Sequence, residues 1–104
     1  MTTTSRFHWS EVPGETAGGV LRQVIEGGRA SLRLVTIPAG TRGQRHSHSF
    51  EQFVCVLEGR ARLETAEGFC TLEPGVVIRF APDAWHAAEF ETDTVLMEVD
   101  LPEG

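Results

Sequence analysis

A chain of 104 residues is long enough for one compact domain with a single core and too short for two. Its net charge of −6, with nine basic residues scattered and never clustered, argues against nucleic acid and anionic membrane as main partners, because both reward grouped Lys and Arg. No stretch approaches the roughly 20 apolar residues of a membrane span, and Met1 to Arg6 carry no apolar signal-peptide core, so a cytoplasmic protein is the default expectation.

Gly and Pro punctuate the chain at short intervals and helical periodicity is hard to find, which suits an all-β sandwich or barrel. Residues 1–19 read as an N-terminal arm ending in Gly18-Gly19, residues 20–101 as the barrel and 102–104 as a tail. Val20 to Glu26 reads as a strand, Gly27-Gly28 as a tight turn and Ala30 to Ile37 as the returning strand. Pro38-Ala39-Gly40 breaks it. Gln44 to His48 reads as a short polar strand and Gln52 to Leu57 as a strongly β-forming one. Ala61 to Thr65 and Phe69 to Leu72 flank the turn Ala66-Glu67-Gly68, and Glu73-Pro74-Gly75 is a good type II turn sequence. Val76 to Phe80, His86 to Phe90 and Thr94 to Leu101 complete the domain. Cys55 and Cys70 are expected to be buried free thiols, with nothing beside either to activate a thiolate.

Two strands carry more than their propensity. In Gln52 to Leu57, Val54 and Val56 share parity with Gln52 and are expected to line the interior. Phe53, Cys55 and Leu57 face the other way and are also apolar, where a water-facing wall would be polar. The N-terminal arm or a second subunit is expected to cover that face, and a homodimer is predicted on this ground. In Thr94 to Leu101, Glu98 and Asp100 share a face opposite Val95, Met97 and Val99. The alternation leaves the direction of that face open, and a solvated outer position is slightly favoured for both acids.

The chemistry concentrates in His46, His48, Gln52 and His86. On one strand, His46 and His48 would project together about 7 Å apart along the chain, and Gln52 keeps their parity if the register survives the break after His48. Imidazole is the usual protein ligand for Zn, Fe, Ni, Cu and often Mn, and an amide oxygen can complete such a shell. His8 reads as a surface or interface residue, Glu51 as solvated and Trp85 as packing at a pocket rim.

The spacing of these residues resembles the cupins, small jelly-roll barrels with two signature segments. Gly40, His46, His48, Gln52 and Gly59 fall on the first signature, with Gln in place of Glu. Gly75 and His86 fall on the second, which departs at Ala81, Asp83 and Phe90, where Pro, Gly and Asn are expected. The resemblance covers residues 20 to 101 and implies a single-domain all-β cupin barrel. It implies one divalent transition metal (Fe, Mn, Ni, Zn or Cu) held by His46, His48 and His86, with Gln52 as fourth ligand. Four neutral ligands would leave the ion a stronger Lewis acid but more weakly held, so Gln52→Glu is expected to tighten binding.

Among small cupins, His-x-His-x-x-Glu-Gln, read from His46 to Gln52, is closest to the pectin-degradation group acting on unsaturated uronates. In that group an acid on the last strand and a tail Arg assist the metal. Here Glu98 or Asp100 would supply the acid, while Pro102-Glu103-Gly104 supplies no Arg. The expectation is an enzyme for a small oxygenated substrate, by isomerase, lyase or dioxygenase chemistry. Arg42, Arg45 and Arg79 are candidates to hold a carboxylate, and Val54, Val56, Leu63 and Val77 or Ile78 to line the pocket. The competing expectations are a non-catalytic metal- or ligand-binding module and, more weakly, a cupin without metal.

Overall fold

The computed structural model describes residues 3–102; the rest of the expected tail, residues 103 and 104, lies outside them. Ten strands follow one another: β1 (Gly14–Ala17), β2 (Val20–Glu26), β3 (Ser31–Ile37), β4 (Arg42–His46), β5 (Glu51–Glu58), β6 (Ala61–Thr65), β7 (Gly68–Leu72), β8 (Val77–Phe80), β9 (His86–Phe90) and β10 (Thr94–Leu101). They form a six-stranded sheet in the order β1-β2-β3-β10-β5-β8 and a four-stranded sheet in the order β4-β9-β6-β7, with every pairing antiparallel. Two facing sheets around one core make the expected single-domain jelly roll. Among the described residues no helix is long and apolar enough to cross a membrane.

The turn chemistry behaves as its residues dictate. At Glu73-Pro74-Gly75 the Val76 N–H donates to the Glu73 carbonyl at 3.0 Å and Gly75 takes φ +95°, the geometry of a type II turn. Gly59, at φ +95°, ends β5 where an added Cβ would stand 2.4 Å from the Asp93 carbonyl oxygen, so no side chain fits.

Period-two alternation sorts each long strand into a core face and an outer face. Val54 and Val56 on β5, Val35 and Ile37 on β3 and Leu96 on β10 point inward and meet Leu63, Leu72 and Phe90 of the other sheet in one buried cluster. The outer face of the six-stranded sheet is apolar too. Cross-strand register aligns Ile25, Leu32, Val99 and Phe53 in one row, and Gln23, Leu34, Met97, Cys55 and Val77 in the next.

Three expectations change. The segment read as an arm carries the 3₁₀ turn Trp9–Glu11 and β1, which pairs with β2 across Gly18-Gly19. Its backbone is pinned to β2 by Gln23, whose Nε2 donates to the carbonyls of Trp9 at 2.8 Å and Val12 at 2.9 Å. Cys70 is exposed rather than buried, because it lies on β7, an edge strand of the smaller sheet; Cys55 is half-buried on the outer face, and both thiols are free. The polar strand starts at Arg42 and stops at His46, leaving His48 in the following loop.

Candidate metal centre

His46 closes β4 and His86 opens β9, and the two residues stand directly opposite in the antiparallel register. A register shift between Gly43 and His46 sets the end of β4 into position. His48 arrives differently from the expected strand alternation. The chain leaves the strand after His46, and the Asp83 N–H donates to the His48 carbonyl at 2.6 Å, tying that loop to the turn that precedes His86. The rings then converge: centroid separations are 5.1 Å for His46–His48, 4.2 Å for His46–His86 and 5.6 Å for His48–His86. One ring nitrogen from each lies within 4.8 Å of the others. That is close to the span of two metal–nitrogen bonds, about 4 Å.

The protonation states suit a cation. Burial lowers the His86 pKa to about 4, with repulsion from His46 adding to the effect. The ring stacks on Phe80 at 4.0 Å, and its Nδ1 is buried with no hydrogen-bond partner. Burial also lowers the pKa of His48, again reinforced by His46. Neutral imidazole is the ligating form. The His46 Nδ1 lies 2.8 Å from the Gln44 carbonyl, so Nδ1 is the donor there and Nε2 is the nitrogen left to face a ligand. Three converging rings, one with an orphaned buried nitrogen, fit a bound divalent metal.

Gln52 is 3 % exposed on the inner face of β5. Its Nε2 donates to Asp100 Oδ1 at 2.8 Å, and Asp100 Oδ2 pairs with the Arg33 guanidinium at 3.4 Å. The slight preference for solvated positions at Glu98 and Asp100 is therefore corrected. Both share the inward parity of Thr94 and Leu96; Asp100 is 6 % exposed, and Glu98 lines the central cavity. The outer face they were expected to occupy belongs to Val95, Met97 and Val99. Burial pushes the Glu98 carboxyl above the usual carboxylate range, against the opposing pull of Arg33.

The arginines proposed for carboxylate recognition are engaged elsewhere. Arg42 pairs with Glu89, Arg45 lies over the Trp85 ring at 3.6 Å, and Arg79 pairs with Glu51 on the outer side of β8. Arg22 and Arg33, which sequence reasoning passed over, share the inward parity instead: Arg33 is half-buried beside Asp100, and Arg22 is exposed but lines the central cavity. Alternation offered no clear signal, since apolar residues stand on both parities of these strands: Val20 and Val24 with Arg22 but Leu21 and Ile25 against it, Val35 and Ile37 with Arg33 but Leu32 and Leu34 against it. The central cavity, about 160 Å³, brings His46, His86, Gln52, Glu98 and Arg22 together over apolar walls that include Val54, Leu63 and Ile78. Val77 points outward, and Val56 belongs to the core. His8 is exposed and caps the 3₁₀ turn, accepting from the Ser10 N–H at 3.2 Å.

The cupin domain family model matches residues 33–101, and the chain belongs to that family. No curated protein matches it. Among solved structures, KdgF from Halomonas sp. superposes with a TM-score of 0.87 at 22% identity, covering 98% of this chain and 96% of that one. An RmlC-like cupin from Shewanella frigidimarina gives 0.86 at 22% identity over 99% and 96%. The polyketide cyclase RemF from Streptomyces resistomycificus gives 0.85 at 18% identity over 97% and 81%.

Proposed function

We propose that this cupin is a metal-dependent enzyme for a small oxygenated substrate, with His46, His48 and His86 holding one divalent transition metal and Gln52 as the fourth ligand. The observation that carries the reading is the convergence of three imidazoles, two of which line a cavity together with a buried amide, Gln52, and an acid, Glu98. A dication held there would supply Lewis-acid polarisation of a substrate oxygen. The chain's own residues do the rest. Apolar walls exclude water and strengthen every electrostatic contact inside. Glu98, whose carboxyl burial holds toward the protonated form, donates a proton to the substrate or takes one from it. Arg79 takes no part in this reading, and Asp100 acts through Gln52.

Reaction classes that need such a proton carrier, isomerisation and elimination, fit better than a purely oxidative one, where no acid is required. Unsaturated uronates are the first substrates to test, on the motif from His46 to Gln52. We further propose a homodimer formed through the apolar outer face of the six-stranded sheet. The N-terminal segment is tied to β2 at one end of that sheet, and Phe53, Cys55, Met97 and Val99 remain half-buried.

The test is elemental analysis of the purified protein, followed by substrate screening with and without O₂. Wild type is expected to carry one metal per chain, and His48→Ala to lose it while keeping its fold, since His48 sits in a loop outside the core. Glu98→Gln is expected to keep the metal and lose about 10²-fold or more in turnover. Full metal content in His48→Ala would end the ligand assignment. Saturable ligand binding with no turnover under any condition would favour a binding module instead.

A further inference from the structure

Gln52 and Asp100 stand directly opposite each other on β5 and β10, both on the inner face and both buried. Each Asp100 oxygen has one partner: Oδ1 accepts from Gln52 Nε2 at 2.8 Å, and Oδ2 faces Arg33 at 3.4 Å. Both Asp100 oxygens thus act as acceptors, one from the amide N–H and one facing a guanidinium, which has donors only. An amide against such a group has one stable orientation. Turned by half a rotation, it would set its own oxygen against a carboxylate oxygen, losing a charge-assisted bond in a buried site. The Gln52 oxygen therefore points away from Asp100. Among the described residues no donor is bonded to it, and Gln52 lines the cavity together with His46 and His86.

We propose that Asp100 is a positioning residue that locks the Gln52 amide with its oxygen turned toward the histidine cluster. The pair is a charge-exchanged form of a carboxylate ligand, in which the negative charge sits behind residue 52 instead of on it. The lock rests on the reading of Gln52 as a metal ligand. It has a consequence opposite to the one expected from ligand chemistry alone. Gln52→Glu does not tighten metal binding, because it removes the amide donor and sets two carboxylates in contact in a buried site. Only a simultaneous Asp100→Asn, which turns the hydrogen bond around, accommodates a carboxylate at position 52.

The experiment compares wild type, Gln52→Glu, Asp100→Asn and the double variant. Two quantities are read: the Tm of the metal-free proteins, and Co(II) affinity by chelator competition together with the visible Co(II) spectrum. Each single variant is expected to lower the metal-free Tm and to weaken Co(II) binding by about tenfold or more. The double variant is expected to recover both, with a spectrum shifted from wild type by the charged ligand. If Gln52→Glu changes the metal-free Tm equally in both backgrounds while wild type binds Co(II), the lock is refuted and the metal centre stands. Coupled Tm values with one Co(II) affinity and one spectrum in all four proteins reduce the pair to a structural contact, which also refutes it. Coupled Tm values in a wild type that takes up no Co(II) overturn the metal centre, and the positioning role with it.

Discussion

His86 enters the barrel wall as a neutral ring. In the unfolded chain it takes up a proton near pH 6.5; in the fold, burial delays that protonation to about pH 4. Between these values the unfolded state binds more protons, so this ring's contribution is fully present above pH 6.5 and is lost as pH falls toward 4. His48, shifted the same way by its own burial and by His46, adds to the trend. Glu98 works in the opposite sense. Its raised pKa favours the fold in acid, and that contribution is lost as pH rises through the folded value. The net curve mixes the two, and a comparison separates them. Metal-free wild type is expected to lose Tm more steeply from pH 6.5 to 4 than His86→Ala. Parallel curves would mean that the His86 ring titrates as it does in water. The residue types of this site were legible in the sequence, because imidazoles at such spacings have few other uses. The inward direction of Glu98 and Asp100 was not, since alternation gives parity without a sign, and the sign is set by which face meets the second sheet.

The loop between β8 and β9 carries the largest departures from the family's second signature, yet it delivers His86 in register with His46. Asp83, standing where the family has Gly, adopts φ +67°, the only described non-glycine residue with positive φ. Asp tolerates this left-handed region better than most side chains. Its N–H is the group that holds the His48 carbonyl, so the backbone bend and the second ligand loop are one feature. Asp83→Gly is expected to keep full stability in urea unfolding. Asp83→Ala is expected to lose about 1 kcal/mol, with weaker metal uptake because the His48 loop loosens. An alanine variant as stable as wild type would show that the bend stores no strain. From β2 onward the strands were readable to within about two residues from alternation and turn residues, β2 from Val20 to Glu26 among them, whereas β1 was read as part of an arm. β4 was misplaced because its polar residues carry no alternation, and its end is set by contacts with β9.

At the scale of the whole molecule, the six-stranded sheet has apolar residues on both faces, and the four-stranded sheet covers only one. The rows through Leu32, Val99 and Phe53 and through Leu34, Met97 and Cys55 lie near the middle of the uncovered face. A Lys at position 97, opposite both Leu34 and Cys55, would have to give up its hydration in a second copy's interface. Met97→Lys is expected to convert a dimer into a folded monomer in sedimentation equilibrium at micromolar concentration, with unchanged metal content. A wild type that sediments as a monomer would remove the proposed interface.

The amino-acid sequence by itself determined the all-β class, the turn positions, the apolar inner faces and the identity of the clustered imidazoles. Each follows from local chemistry: φ preferences at Gly and Pro, period-two alternation, and the rarity of paired histidines. Only the tertiary structure decided that His48 comes from a loop, that Glu98 and Asp100 point inward, and that Arg33 stands behind Asp100 while Arg79 faces away. Those outcomes depend on register and on sheet-to-sheet packing between segments far apart in the chain, such as Gln52 and Asp100, 48 residues apart, and no local pattern encodes which of two faces will be buried.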